Sequence, residues 1–219
     1  FLGADLLLNG SSAANNEQIE AGKQLGMQHA QLVEFSSVIA TDSGIQLSSV
    51  KAADSAYPLR GQLKSAAAPY ELESVGDGPK PGEAWVEPRL LSALEVNIGD
   101  SVEVGQKVLK LTRVLTYEPD RAGDFYSLTP RLLMNLADLD ATGVVQPGSR
   151  VKYSELWRGT ADQIAAYRQQ IEPGLAPSQR LLGAKDGNQQ VGGALGRAQR
   201  YLNLASLAAI LLAGVAVAL

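Results

Sequence analysis

The sequence predicts a mixed fold of the α/β or α+β class with two lobes, followed by the start of a membrane-spanning helix. Three observations predict it. Strand-like and helix-like segments alternate near both ends of the chain, a decapeptide rich in glycine and proline interrupts it at residues 74–83, and residues 202–219 contain no charged side chain. Glycine and proline clusters mark breaks between folded segments, and a helix needs about 20 apolar residues to cross a bilayer.

The first 53 residues predict a strand, a helix and a two-stranded meander. Residues 4–10 form an apolar run closed by Asn-Gly, which is typical of a strand that enters a turn. Asn15, followed by Gln18, has the spacing of a helix capping box, and Gly26 ends that helix. Residues 30–40 and the alternating apolar residues beyond them predict two strands joined by a Thr-Asp-Ser-Gly turn.

The middle of the chain predicts a connector, a hairpin and two short helices. Residues 57–70 contain two X-Pro steps, which favour extended backbone. Gly105-Gln106, between alternating apolar residues, is typical of a type II′ hairpin turn. The motif Pro-Arg-Leu-Leu-x-x-Leu follows both Glu87 and Thr129, with proline at the first helical position each time. It is either a faint internal repeat or, as we expect, two helices that start by the same chemistry.

The last third predicts a strand, a helix, a final strand and a long helix. Residues 149–159 alternate as a strand, Thr160 and Gln163 form a second capping box, and residues 179–186 predict the last strand. From Gln190 the pattern is helical and continues into the terminal apolar run. Three glycines weaken this helix: Gly192, Gly193 and Gly196. They are either a hinge or close-packing sites, and packing is the favoured interpretation.

Composition and charge exclude several classes of function. A net charge of −4 and the absence of cysteine argue against nucleic-acid binding, a disulfide scaffold, thiolate catalysis and cysteine-based metal sites. The single histidine, His29, stands in no catalytic or metal-binding motif, so we expect a structural role for it. The carboxylates are scattered, and we expect them in solvent. The sequence therefore predicts no catalytic, cofactor-binding or metal-binding residue, and no cofactor.

Several long strings resemble the MacB/FtsX-like permeases of bacterial ABC transporters. They are LGADLLLNG, VKAADSAYPLRGQL, GEAWVEPRLLSALEVNIGDSVEVG, the stretch at residues 111–153 and RAQRYLNLASLAAILLAGVAVAL. Together they cover nearly the whole chain. The chain is most similar to the YbbP-like branch, whose members are linked to lysophospholipase or thioesterase partners.

The resemblance implies a large periplasmic domain between the first and second membrane helices. Such a domain has a porter-like lobe, made from both ends of the segment, and a smaller inserted β-rich lobe. The implied boundaries are residues 1–75 for the first part of the porter-like lobe, 76–147 for the inserted lobe, 148–195 for the second part of the porter-like lobe, and 196–219 for a stalk and the start of a transmembrane helix.

The function implied by the resemblance is non-catalytic. A permease of the bacterial inner membrane would transmit conformational change from a separate cytoplasmic ATPase to this periplasmic domain, and so move or extract a hydrophobic or lipid-like substrate. The implied partners are that ATPase, the inner membrane and a periplasmic lysophospholipase- or thioesterase-like hydrolase. Two alternatives stay open: a membrane-anchored module that binds lipid or scaffolds a hydrolase, and a tethered hydrolase. The apolar ends of the chain add the expectation of a piece from a longer membrane protein.

Overall fold

A computed structural model describes residues 3–121, 129–146 and 148–183. The strands are β1 Leu6–Gly10, β2 Gln28–Thr41, β3 Gly44–Ala53, β4 Leu63–Ala66, β5 Ser74–Gly76, β6 Glu83–Val86, β7 Ser101–Val104, β8 Lys107–Tyr117, β9 Arg131–Asn135, β10 Val151–Arg158 and β11 Arg180–Gly183. The α-helices are α1 Asn16–Gln24, α2 Pro88–Leu94, α3 Leu139–Thr142 and α4 Ala161–Ile171.

All eleven strands of the described residues join one mixed sheet. Neighbours follow the order β11, β1, β10, β2, β3, β9, β6, β8, β4, β5, and β7 pairs with both β2 and β8. Most pairs are antiparallel, but β3 runs parallel to β9, and β6 runs parallel to β8. The β2–β3 hairpin is the longest pairing, with ten residue pairs from Leu32–Ala53 to Thr41–Gly44. The predicted mixed fold class is therefore confirmed.

The chain divides into two compact units, residues 1–182 and 183–219, and nearly all described residues belong to the first. The predicted stalk and membrane segment, residues 196–219, lie outside the described residues. Within the described ranges, no helix has both the length and the apolar character needed to cross a membrane.

Both predicted capping boxes form. The Asn15 side chain accepts a hydrogen bond from the backbone N–H of Gln18 at 2.8 Å, and the Gln18 side chain accepts one from the Asn15 N–H at 2.9 Å. Thr160 and Gln163 make the same reciprocal pair at the start of α4. These bonds satisfy N–H groups that have no partner inside the helix, so α1 and α4 begin where the caps are.

Helices α1 and α4 pack around a buried tryptophan of β10. Trp157 is fully buried, and its ring centroid lies 5.2 Å from that of Tyr167 on α4. The Tyr167 hydroxyl donates to the backbone oxygen of Gln18 at 3.1 Å, which ties α4 to α1. Gly22 of α1 rests directly on the indole, where a Cβ atom would come within 2.4 Å of the ring.

The repeated Pro-Arg-Leu-Leu motif folds in two different ways. After Glu87 it forms α2, as predicted. After Thr129 it forms β9, so the predicted second helix is wrong. Leu132, Leu133 and Met134 are at most 1% exposed, because β9 lies between β3 and β6. A strand buried on both faces has a continuous apolar run, which periodicity alone does not distinguish from a short helix. The motif is therefore not a structural repeat.

Two strands lie where a connector and a break were predicted. Strand β4 falls within residues 57–70 and β5 within residues 74–83; they pair with each other, and β4 also pairs with β8. The predicted hairpin at Gly105 is confirmed: β7 and β8 join through a two-residue turn, with a φ of +59° at Gly105. The predicted division into lobes stays a prediction.

The two ends of the described body lie side by side. Strand β11 is hydrogen-bonded to β1. Gly10, the last residue of β1, lies against Gln179, which directly precedes β11, so the two strands run antiparallel. The start of β1 and the end of β11 are therefore neighbours. Leu182 of β11 packs in the same apolar cluster as Leu7 of β1.

Candidate functional site

Five polar side chains from distant parts of the sequence meet at Lys51, and we call them the buried ionic cluster. Lys51 lies on β3, Tyr57 in the loop after it, Glu118 and Asp120 just beyond β8, and Arg131 at the start of β9. The parallel pairing of β3 with β9 brings the lysine and arginine strands together. The cluster therefore depends on tertiary structure and has no local sequence motif.

Every charge in the cluster has a partner of opposite sign. Lys51 Nζ donates to Glu118 at 2.8 Å, to Asp120 at 3.0 Å and to the Tyr57 hydroxyl at 3.4 Å. The Tyr57 hydroxyl donates to Asp120 at 2.5 Å, and Arg131 donates to Glu118 at 3.1 Å. Lys51 and Glu118 are only 7% and 3% exposed. Two cations thus neutralise two carboxylates, which is the condition for burying them.

The pKa values in the cluster follow from burial and charge. Burial by itself lowers the pKa of Lys51, but the attraction of Glu118 and Asp120 outweighs it, so the pKa lies above its ordinary value. Burial by itself raises the pKa of Asp120, but the charge of Lys51 and the hydrogen bonds from Tyr57 and Lys51 together outweigh burial and hold that pKa below the usual range. Burial raises the pKa of Tyr57, and the charge of Asp120 adds to this effect. At neutral pH Lys51 and Asp120 are therefore charged, and Tyr57 is neutral.

The buried ionic cluster contains charged groups of the kind found in active sites, but the cavity beside it is too small for a substrate. The cavity beside it measures about 10 Å³, at the lower limit for a single water molecule. Its donors and acceptors are already engaged with one another. We therefore interpret the cluster as a brace that holds the segment after β8 against β3 and β9. Within the described residues, no group of three or more histidine, aspartate or glutamate side chains could hold a metal ion.

His29 has a partner that the sequence did not reveal. Its Nε2 lies 2.7 Å from Glu155 Oε2, and its ring stacks on Trp157 with centroids 4.4 Å apart. Gln31 donates to the other carboxylate oxygen of Glu155 at 3.1 Å. These contacts connect β2 with β10, as a structural histidine would do.

The expectation of solvent-exposed carboxylates is wrong for several residues. Four of them are at most 5% exposed and have a basic partner: Glu87, Glu118, Asp138 and Glu155. The pairing partners are distant in sequence for three of these four, so no spacing rule finds them. One signal was present: Lys51 interrupts an apolar run between Val50 and Ala52. A charge inside such a strand needs a buried partner.

Several solved structures share this fold, including the following two. One is the extracellular domain of the noncanonic ABC-type transporter YknZ from Gram-positive bacteria, with a TM-score of 0.54, 12% identity, and coverage of 81% of this chain and 100% of that one. The other is the periplasmic region of MacB from Actinobacillus actinomycetemcomitans, with a TM-score of 0.53, 8% identity, and coverage of 87% and 94%. The chain thus has the fold of the extracytoplasmic domains of MacB-like ABC transporters.

A relative in sequence is similar along the whole chain. It is the uncharacterized ABC transporter permease YbbP of Escherichia coli (strain K12), with 33% identity over 218 residues, which is 100% of this chain. The chain spans about a quarter, 26%, of the length of that permease. No family model matches the chain. The chain is therefore homologous to one segment of an ABC transporter permease, and the predicted resemblance to MacB/FtsX-like permeases is confirmed.

Proposed function

We propose that this chain is the periplasmic domain of an inner-membrane ABC transporter permease and that it transmits movement from the membrane to the periplasm. The permease homologue and the MacB-like fold support the proposal. ATP would be hydrolysed by a separate cytoplasmic subunit, since the sequence has no phosphate-binding loop motif. The domain itself would carry out no bond chemistry.

The observation that carries the proposal is the position of the two ends of the body. Strands β1 and β11 are hydrogen-bonded neighbours, and the start of one lies beside the end of the other. If membrane segments continue from both, any movement of one segment against the other acts on a single pair of strands. The domain would then receive motion at one edge of its sheet.

Continuous strand pairing connects this edge of the sheet with its centre and would transmit such motion. Strand β1 pairs with β10 over five residues, β10 pairs with β2 over eight, and β2 pairs with β3 over ten. The buried ionic cluster then ties β3 to β9 and to the segment after β8. A displacement at the edge would therefore move the sheet as a unit, because interdigitated interiors have low compressibility.

The predicted lobes receive roles in this scheme. Residues 1–75 and 148–195, the porter-like lobe, contain both β1 and β11 and would receive the motion. Residues 76–147, the inserted lobe, would present it to other molecules. Residues 196–219 would form the stalk and the start of a transmembrane helix, for which the sequence predicts one continuous helix.

A pair of substitutions in the stalk tests the proposal. Gly196→Pro in the intact permease should abolish ATP-dependent release of metabolically labelled lipid from spheroplasts, because proline breaks an interior helix at a cost of about 3 kcal/mol. Gly196→Ala is the matched control and should retain release, since alanine favours a helix. Retained release with proline, at wild-type expression, refutes transmission through a rigid stalk. Loss with both substitutions would show instead that position 196 requires glycine itself, either as a hinge or as a close-packing site.

The competing candidate, a lipid-binding module, needs an enclosed apolar cavity. Two clefts of the described part measure about 510 and 520 Å³. Both are open to solvent, and charged residues line them: Glu34, Arg150 and Lys152 in the first, and Glu95 in the second. These features fit contact with another macromolecule better than enclosure of a lipid. Native mass spectrometry that detects a co-purified lipid would favour the binding module.

A further inference from the structure

The loop between β3 and β4 lies against the point where the chain enters the body. We call residues 57–61 of this loop the entry strap. The backbone N–H of Arg60 donates to the backbone oxygen of Gly3 at 2.8 Å. The guanidinium of Arg60 donates to both carboxylate oxygens of Asp5, at 3.0 and 2.9 Å. These hydrogen bonds hold residues 3–5, just ahead of β1, against the strap.

The other side of the strap contacts the segment after β8. The Tyr57 hydroxyl donates to Asp120 at 2.5 Å, and Tyr57 is only 2% exposed. Gly61 rests against Pro119, where an added Cβ atom would come within 2.6 Å of the proline ring. The first and last residues of the strap are therefore both attached to residues 118–120, which supply the two carboxylates of the buried ionic cluster.

The chain entry also packs directly on this region. A Cβ atom placed on Gly3 would lie 3.5 Å from the ring of Tyr57 and 3.7 Å from the Cβ of Asp120, which are ordinary packing distances. Among the described strands, β1 does not pair with β8, and the shortest route between them through the sheet passes β10, β2 and β7. The strap therefore joins the chain entry to a segment that is remote from it along the sheet.

The contacts on the two sides of the strap differ in strength. The side chains of Asp5 and Arg60 are 28% and 46% exposed, and exposed ion pairs contribute little because water screens them. The contact between Tyr57 and Asp120 is nearly enclosed, and hydrogen bonds are stronger where the local dielectric is low. The strap and residues 118–120 should therefore move as one unit, which the weaker Asp5–Arg60 pair holds to the chain entry.

We propose that the entry strap couples the chain entry to the predicted inserted lobe, and that the Asp5–Arg60 pair is its releasable contact. Movement of residues 3–5 would reach residues 118–120, which belong to the predicted inserted lobe, without passing through the strand ladder. Coupling of this kind is reciprocal, so loosening either side of the strap should loosen the other. The source of the movement rests on the proposed function, whereas the coupling itself does not.

Hydrogen–deuterium exchange followed by mass spectrometry tests the coupling in the intact permease, in detergent and without ATP. Asp5→Asn removes the charge from the ion pair and keeps the shape of the side chain. It should speed exchange about two- to fivefold in peptides that cover residues 57–61 and 111–121 and leave helix α4 unchanged. Glu20→Gln is the control, because it changes an ion pair that is also exposed but lies on α1.

The reverse experiment perturbs the other side of the strap. Gly61→Ala places a Cβ atom against Pro119 and should speed exchange at least about twofold in the peptide that covers residues 3–10. Gly82→Ala is the matched control: φ is +85° at both glycines, but nothing lies within 4 Å of a Cβ atom at Gly82. The backbone strain is therefore the same in both variants, and the contact with Pro119 is the difference between them.

Acceleration in both directions, with unchanged controls, would support the coupling. Each of the following results would overturn it: no acceleration beyond residues 3–10 and 57–61 in Asp5→Asn, equal acceleration in α4, an equal effect of Glu20→Gln, or no greater effect of Gly61→Ala than of Gly82→Ala at residues 3–10. These measurements need neither ATP nor a transported substrate. Their failure is therefore distinct from that of force transmission, which the substitutions at Gly196 test.

Discussion

Replacing Lys51 by methionine removes the central cation of the buried ionic cluster and keeps a side chain of similar length. Glu118 would retain Arg131 at 3.1 Å, whereas Asp120 would retain only the Tyr57 hydroxyl. Removing one partner of a buried ion pair costs about 3–5 kcal/mol, because the other charge stays buried and unpaired. Because Arg131 still pairs with Glu118, we expect a loss in free energy of unfolding near the lower end of this range, about 3 kcal/mol. For a domain of this size, the thermal midpoint should fall by about 6–12 °C.

The loss should depend on pH with a definite sign. Burial raises the pKa of Asp120, but the charge of Lys51 and the hydrogen bonds from Tyr57 and Lys51 together outweigh burial, and the folded pKa lies below the usual value. The stabilisation from Asp120 is therefore present above the unfolded pKa and lost as the pH falls through the folded pKa. In the Lys51→Met variant, the lysine no longer opposes the effect of burial on Asp120. Protonation of Asp120 in acid therefore removes an unpaired buried charge and reduces the loss in free energy of unfolding. The difference in free energy of unfolding should be largest near neutral pH and shrink in acid.

Urea unfolding followed by tryptophan fluorescence measures this difference, at pH 7 and again at about pH 4, near the ordinary pKa of aspartate. Lys23→Met is the matched control, because the Lys23–Glu20 pair is 54% and 57% exposed and such pairs contribute about 0–1 kcal/mol. A loss for Lys51→Met as small as that of the control would refute the interpretation of the cluster as a brace. A loss that is equal at both pH values would refute the assignment of its charges.

Two other substitutions test local packing and capping. Gly22→Ala should destabilise the protein by about 1–2 kcal/mol, because the new Cβ would lie 2.4 Å from the rigid ring of Trp157 and the resulting strain exceeds the gain in helix propensity. Gly44→Ala is its control: nothing lies within 4 Å of the added atom, and a change of less than about 0.5 kcal/mol is expected. Asn15→Ala should cost about 1 kcal/mol by removing the cap from the Gln18 N–H. Thermal and urea unfolding measure all three, and a neutral Gly22→Ala or Asn15→Ala would contradict the packing or the capping described above.

Features that depend on near neighbours were predictable from the sequence. The starts of α1 and α4 follow from capping boxes, in which both partners lie within four residues. The turn at Gly105 follows from one residue that tolerates a positive φ. The strand at residues 149–159 was predicted from alternation and appears as β10, with its bounds shifted by one or two residues.

Features that depend on distant neighbours were not predictable in this way. The same motif forms α2 in one place and β9 in the other, because β9 is enclosed by β3 and β6, and nothing in its own residues reports that. The buried ionic cluster joins residues up to 80 positions apart, as Lys51 and Arg131 show. Tertiary packing overrides local propensity at such positions.

The neighbouring ends of β1 and β11 have an evolutionary consequence. Adjacent strands of a sheet are about 4.8 Å apart, so the backbone enters and leaves the body at almost the same point. A gene could gain or lose this entire module, and the surrounding protein would need only a short loop to close the gap. Recombination among permeases could therefore exchange one such domain for another without changing the fold of the surrounding protein.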